Sequence, residues 1–339
     1  MKHAKKVVMI LLGMFFITQL IGIAVIAKYN PEVQQVVNDK GQIVNQTTYH
    51  LPYGTDPPTD IDPGSTFISI IISIAIAVIL MLVLMKYKAE LFLRTWFFVV
   101  VTFALAVTIN AFIDKIPHAQ LIAVVIALPL SAIKLFKRNI YMHNFTELLI
   151  YPGIAAIFVP LLIDKNGWLV NKLSFIFPKI TEITHINTVF SIWPVVILLI
   201  LISIYDIYAV WHAGFMQKMA QYQIKKLKFF TGFFVPYLGK KDRIKINQAS
   251  TKGATLDKIR NKKIKVNVAI LGGGDVVFPI ILAGVVFNSL GFVQSLIISI
   301  GATIALAWLF YISKKGKFYP AMPFISVGCL IALGLALLI

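Results

Sequence analysis

Two aspartates lie deep inside apolar runs long enough to cross a membrane: Asp206 in Ser191–Trp211 and Asp275 in Val266–Phe287. An ionisable group at membrane depth is expensive to bury, so it marks a functional site. Asp206 follows a tyrosine, in Ile204-Tyr205-Asp206-Ile207. Asp275 closes a glycine run, Leu271-Gly272-Gly273-Gly274-Asp275. Two carboxylates in contact cannot both ionise cheaply, so such a pair keeps one proton. A neutral acid beside an ionised base is what aspartic proteolysis needs. The base takes a proton from a water held between the pair, and the acid polarises the scissile carbonyl. That chemistry calls for no metal, cofactor or covalent nucleophile.

The flanking residues fit the same chemistry. Gly272, Gly273 and Gly274 remove side chains beside Asp275, so another backbone can approach and the span is locally loosened. A substrate helix must unwind before it is cut, and its freed amides then need partners. A third element, Tyr319-Pro320-Ala321-Met322-Pro323, opens the last apolar run, where two prolines break the first turn and expose backbone groups. Each element has a plainer reading. A lone buried Asp serves transporters as an ion ligand, a glycine triplet packs helices, and prolines are ordinary at helix starts. Their joint order and depth favour the protease.

The elements that carry these residues are membrane helices. The chain has 339 residues, 58% hydrophobic and 14% charged, with a mean hydropathy of +0.83. Soluble domains are nearer a quarter charged, and a membrane β-barrel would show short alternating segments. The expected fold is an all-α polytopic membrane protein with nine spans, at about 7–27, 66–85, 95–113, 119–136, 147–163, 189–211, 266–287, 291–312 and 319–338. Three regions follow: an N-terminal membrane region over residues 1–211, a basic loop over 212–265 and a C-terminal membrane region over 266–339. Asp206 lies about five residues from the cytoplasmic end of the sixth span. Asp275 lies about nine residues inside the start of the seventh, at a similar depth.

Charge sets the orientation. With the N-terminus in the cytoplasm and the C-terminus outside, 26 of the 32 basic residues fall on the cytoplasmic side, 14 of them in the 212–265 loop. The formal charge of +18 therefore reflects membrane topology rather than nucleic-acid binding. Lys134, Lys137 and Arg138 fall in a cytoplasmic connection on this count. Met1-Lys2-His3-Ala4-Lys5-Lys6 precedes an apolar run too long for a signal-peptide core, so the first helix is expected to be retained. The single cysteine, Cys329, can form no internal disulfide. The 28–65 loop is expected to be extended or mobile. Trp168–Phe177 could lie flat at the interface. Phe215–Phe230 reads equally as an amphipathic helix held by anionic lipid or as a solvated linker.

Tyr205-Asp206, Gly272-Gly273-Gly274-Asp275 and Pro320-Ala321-Met322 resemble the YD, GxGD and PAL motifs of presenilin and signal peptide peptidase. The longer run Leu271–Pro279 is similar as well, and so are the order of the motifs and their places on spans six, seven and nine. The N-terminal half is similar by span count alone. The resemblance implies an intramembrane aspartyl protease with Asp206 and Asp275 as its dyad. It also implies that Tyr205, the glycines and Pro320-Ala321-Met322 shape the active site. Met322 departs from the family's leucine by a nearly volume-conserving change. The charge bias gives the presenilin orientation, since signal peptide peptidase is inverted. The compact chain looks like a single-chain prokaryotic, archaeal homologue in a cell membrane. Such a homologue needs no accessory subunits, meets membrane lipids, and cuts transmembrane helices oriented N-out, C-in.

Other enzyme classes lack their residues. No Gly-x-Ser-Gly or His-Glu-x-x-His is present, and six scattered histidines indicate no metal site. A prepilin peptidase shares GxGD but not the proline-rich last span. The different-class alternative is a proton- or cation-coupled transporter or channel that uses both aspartates.

Overall fold

A computed structural model describes residues 5–29, 32–37, 43–48, 63–87, 89–136, 140–163, 191–213, 231–238, 266–313 and 319–338. Long apolar runs make helices wherever length permits. These are α1 (Lys5–Lys28), α2 (Pro63–Lys86), α3 (Glu90–Ile113), α4 (Ala119–Phe136), α5 (Ile140–Phe158), α6 (Trp193–Tyr208), α7 (Gly273–Leu290), α8 (Phe292–Ile312) and α9 (Met322–Ala336). Among the described residues, six are long and apolar enough to cross a membrane: α1, α3, α5, α6, α7 and α8. A π-helical turn, Ala209–Ala213, extends α6.

The all-α expectation needs correction. Two antiparallel hairpins are present: β1 (Glu32–Val37) with β2 (Ile43–Thr48), and β3 (Gly232–Leu238) with β4 (Val266–Gly272). The first lies in the segment expected to be extended or mobile. The second changes the site. The seventh span does not begin at Val266, because residues 266–272 are a strand and α7 starts at Gly273. β-branched Val266, Val268 and Ile270 favour the extended backbone. Hydropathy cannot distinguish an apolar strand from a helical turn. Asp275 is therefore three residues into its helix, not nine. Most of the basic loop, including Phe215–Phe230 but for β3, and the Trp168–Phe177 segment lie outside the described residues.

The core is built around α1, α5 and α7. With water absent from hydrocarbon, packing comes from close backbone approach and short polar contacts. A Cβ on Gly22 of α1 would strike Ile280 of α7, and one on Gly153 of α5 would strike the Ala104 carbonyl of α3. Gly301 and Gly328 bring α8 and α9 together in the same way. Thr108 on α3 donates to the Leu149 carbonyl of α5 at 2.6 Å. Tyr29, at the end of α1, donates to the Val107 carbonyl at 2.8 Å.

Candidate active site

Asp206 sits in the last turn of α6 with only 6% of its surface exposed. Its carboxylate oxygen Oδ2 accepts the backbone N–H of Met322 at 3.1 Å, with the Ala321 amide alongside. The sequence explains why those amides are free. Met322 is the first residue of α9, Ala321 caps it, and Pro323 follows. The first amides of a helix have no carbonyl one turn back to receive them, and they point at any nearby anion. One turn back along α6 and one turn on along α9, Ser203 donates to Ser326 at 2.8 Å. The two contacts hold α6 and α9 in register beside Asp206.

Asp275 is partly buried in the first turn of α7, within electrostatic range of Asp206. Gly272 is the extended N-cap of α7, so Asp275 is its third helical residue. An acidic side chain there can reach back to the N-cap amide, as in half of a capping box. The Asp275 carboxylate lies beside the Gly272 N–H. That amide is available because of strand parity. Gly232 and Phe234 give their backbone groups to side chains of α5, so these two face away from β4. Their partners Gly272 and Ile270 then face away from β3 as well.

The three glycines are not equivalent. A Cβ on Gly273 would lie 2.9 Å from the Tyr151 ring of α5, whereas one on Gly274 would meet nothing nearer than Phe278 at 3.7 Å. A Cβ on Gly272 would press on Asp275 Oδ2 at 3.1 Å. Pro320 is buried, Ala321 partly buried and Met322 buried at 4% exposure, and the last two bring their amides to Asp206. Tyr205 turns away to the outer surface of α6, 38% exposed.

Several residues around the site carry little or no mark in the sequence. Gln19, fully buried on α1, donates to the Val276 carbonyl at 3.1 Å, one residue past Asp275. A lone amide in an apolar run is its only signal. Glu147 is a further buried acid among the described residues, although hydropathy puts it at the edge of a span beginning there. α5 starts at Ile140 instead, and the Glu147 side chain is wholly buried. Lys134, expected in a cytoplasmic connection, is its partner in the last turn of α4. Nζ donates to Glu147 Oε1 at 2.6 Å, with both side chains fully enclosed. Two charges can be buried there because they neutralise each other.

The arrangement brings two carboxylates within electrostatic range of each other. One is held by the N-terminus of a proline-flanked helix, the other by the first turn of a helix that continues a strand. No curated protein matches the chain. The structure is similar to that of a presenilin family intramembrane aspartate protease solved in two crystal forms. The C222 form superposes with a TM-score of 0.56 at 16% identity, covering 98% of each chain. The P2 form gives 0.52 at 16% identity, covering 97% of this chain and 96% of that one. The signal-peptide peptidase, presenilin aspartyl protease family matches residues 53–339. With most of its length matched, the chain belongs to that family of intramembrane aspartyl proteases.

Proposed function

We propose that Asp206 and Asp275 are the catalytic pair, activating one water to hydrolyse peptide bonds of transmembrane helices. The observation that carries this is the Met322 N–H bond to Asp206 Oδ2 at 3.1 Å, within electrostatic range of Asp275. Asp206 accepts the Met322 N–H at 3.1 Å with the Ala321 amide alongside, while Asp275 has only the Gly272 amide beside it, so the ionised form is better supported on Asp206 than on Asp275. Asp206 is then the base that accepts the water's proton, and Asp275 is the acid that polarises the scissile carbonyl. After attack, the tetrahedral intermediate breaks its C–N bond as the amine leaving group takes the proton held by Asp206, and the hydroxyl formed on the carbonyl oxygen returns its proton to Asp275 as the C=O re-forms. Both acids are then back in their starting states. The transporter alternative draws no support from the family match.

The β3–β4 hairpin adds a reason for the location. Proteolysis needs an extended substrate, and β4 runs directly into Gly272–Asp275. The outer edge of β4 is unpaired among the described residues. An unwound substrate segment can find backbone partners there. The proposed topology is nine crossings with the N-terminus cytoplasmic and the C-terminus outside, supported by the basic bias. It puts both aspartates in the cytoplasmic half, so N-out, C-in helices are cut near their cytoplasmic ends. In this reading the enzyme works as a single chain in a prokaryotic cell membrane, without accessory subunits.

Purified protein incubated with a labelled single-span substrate should cleave it, and Asp206→Asn and Asp275→Asn should each abolish cleavage. In vesicles, a substrate inserted N-out should be cut in preference to the same helix inserted N-in. Exclusive cleavage of the N-in form would overturn the orientation. Wild-type protein that cuts nothing while carrying an ion flux would overturn the protease mechanism.

A further inference from the structure

One face of α5 runs from the hairpin to the glycine turn. His143, Asn144, Glu147 and Tyr151 recur at helical spacing, the first three touching β3 and Tyr151 touching both β3 and the glycine turn. Asn144 makes two opposed bonds to one residue of β3. Its Oδ1 accepts the Phe234 N–H at 2.9 Å, and its Nδ2 donates to the Phe234 carbonyl at 2.7 Å. Glu147 Oε1 accepts the Gly232 N–H at 3.2 Å. His143 Nε2 lies 2.9 Å from the Gly232 carbonyl, and its ring packs on Phe234 with centroids 5.0 Å apart. Tyr151 ends the row, edge-on to Phe233 at 5.5 Å and against Gly273.

Side-chain amide and carboxylate groups thus occupy the positions that a third strand's backbone would take along the start of β3. We propose that Asn144 and Glu147 are positioning residues for the reaction. They pin the outer edge of β3, so that β4 and the Gly272–Gly274 turn present Asp275 at one fixed place opposite Asp206. Lys134 neutralises Glu147 so that the acceptor can be kept in a dry interior. A two-stranded hairpin is barely stable by itself. Without this edge support, the strand that enters α7 is held only by its partner. An error of about 1 Å in a catalytic group can cost on the order of 100-fold in rate.

The proposal rests on the dyad reading above, and the test separates the two. Three variants are compared with wild type and Asp275→Asn in detergent, with kcat, KM and thermal unfolding midpoint measured for each. K134M/E147L replaces the buried pair by apolar residues and deletes the acceptor for Gly232. Such exchanges of a buried ion pair are often neutral or stabilising. K134M/E147Q is also neutral but keeps an acceptor oxygen. N144L deletes both bonds to Phe234 at a side chain that is only partly buried.

The expected result is kcat lowered ~10-fold or more in K134M/E147L and N144L, with KM changed less than ~3-fold and K134M/E147Q restored to within ~3-fold of wild type. Wild-type kcat in N144L, or equal kcat in the Leu and Gln pairs, overturns the role of Asn144 and Glu147 while leaving the dyad intact. If K134M/E147L does not fold, N144L decides. A wild-type enzyme that Asp275→Asn fails to inactivate overturns both readings.

Discussion

The amide of Met322 and the carboxylate of Asp206 meet at 3.1 Å although 116 residues separate them in the chain. The contact is made by backbone, not by the Met322 side chain. Met322→Leu should therefore leave cleavage within about twofold, since the exchange is nearly volume-conserving. Met322→Pro removes the donor. A hydrogen bond to a charged group is worth about 1.5–3 kcal/mol, so the rate should fall at least ~10-fold. Cleavage kinetics beside a thermal unfolding midpoint separate loss of the donor from loss of fold.

Gly273 and Gly274 should respond differently to the same substitution. Gly273→Ala pushes a methyl into the Tyr151 ring, which is wedged against Phe233. Overpacking of this kind costs about 1–3 kcal/mol. Gly274→Ala has room and should leave the unfolding midpoint unchanged. Equal destabilisation by both substitutions would contradict the close contact with Tyr151.

Gln19 should matter little for stability. Its Nε2 bonds the Val276 carbonyl, but its Oε1 is buried with no partner among the described residues. An unsatisfied buried acceptor costs about 1–3 kcal/mol, roughly what the donated bond returns. Gln19→Met is therefore expected to shift stability by less than ~1 kcal/mol in denaturant unfolding. A loss well beyond that would mean that Oε1 has a partner.

The pH–rate profile should be bell-shaped. The proposed mechanism needs one proton on the pair. Acid that protonates both groups removes the base, and alkali that strips both removes the acid. Initial rates across pH on wild type measure this. Either single Asn variant should be inactive across the whole range. A rate that rises steadily with pH through the alkaline limb would rule out a required acid.

Composition and charge are enough to determine a polytopic helical protein, because hydrocarbon-length apolar runs leave a backbone few other solutions. Asp206, Asp275 and the proline-flanked turn stand out for the same reason, since polar and helix-breaking residues are conspicuous in such runs. Hydropathy does not reveal that Val266–Gly272 is a strand. An apolar segment reads alike in both conformations, and strand pairing with Gly232–Leu238 joins positions far apart in the chain.

Glu147 and Lys134 are hidden differently. Each sits at the edge of an apolar run, where a charge is ordinary, and only packing of α4 on α5 turns two edge charges into one enclosed pair. The sequence alone determined which groups could do the chemistry. The tertiary structure decided what holds them: a free helix N-terminus for Asp206, and a capped strand-to-helix turn braced by α5 for Asp275. Such contacts join residues distant in sequence through backbone amides, which nearly every residue carries and no sequence pattern marks.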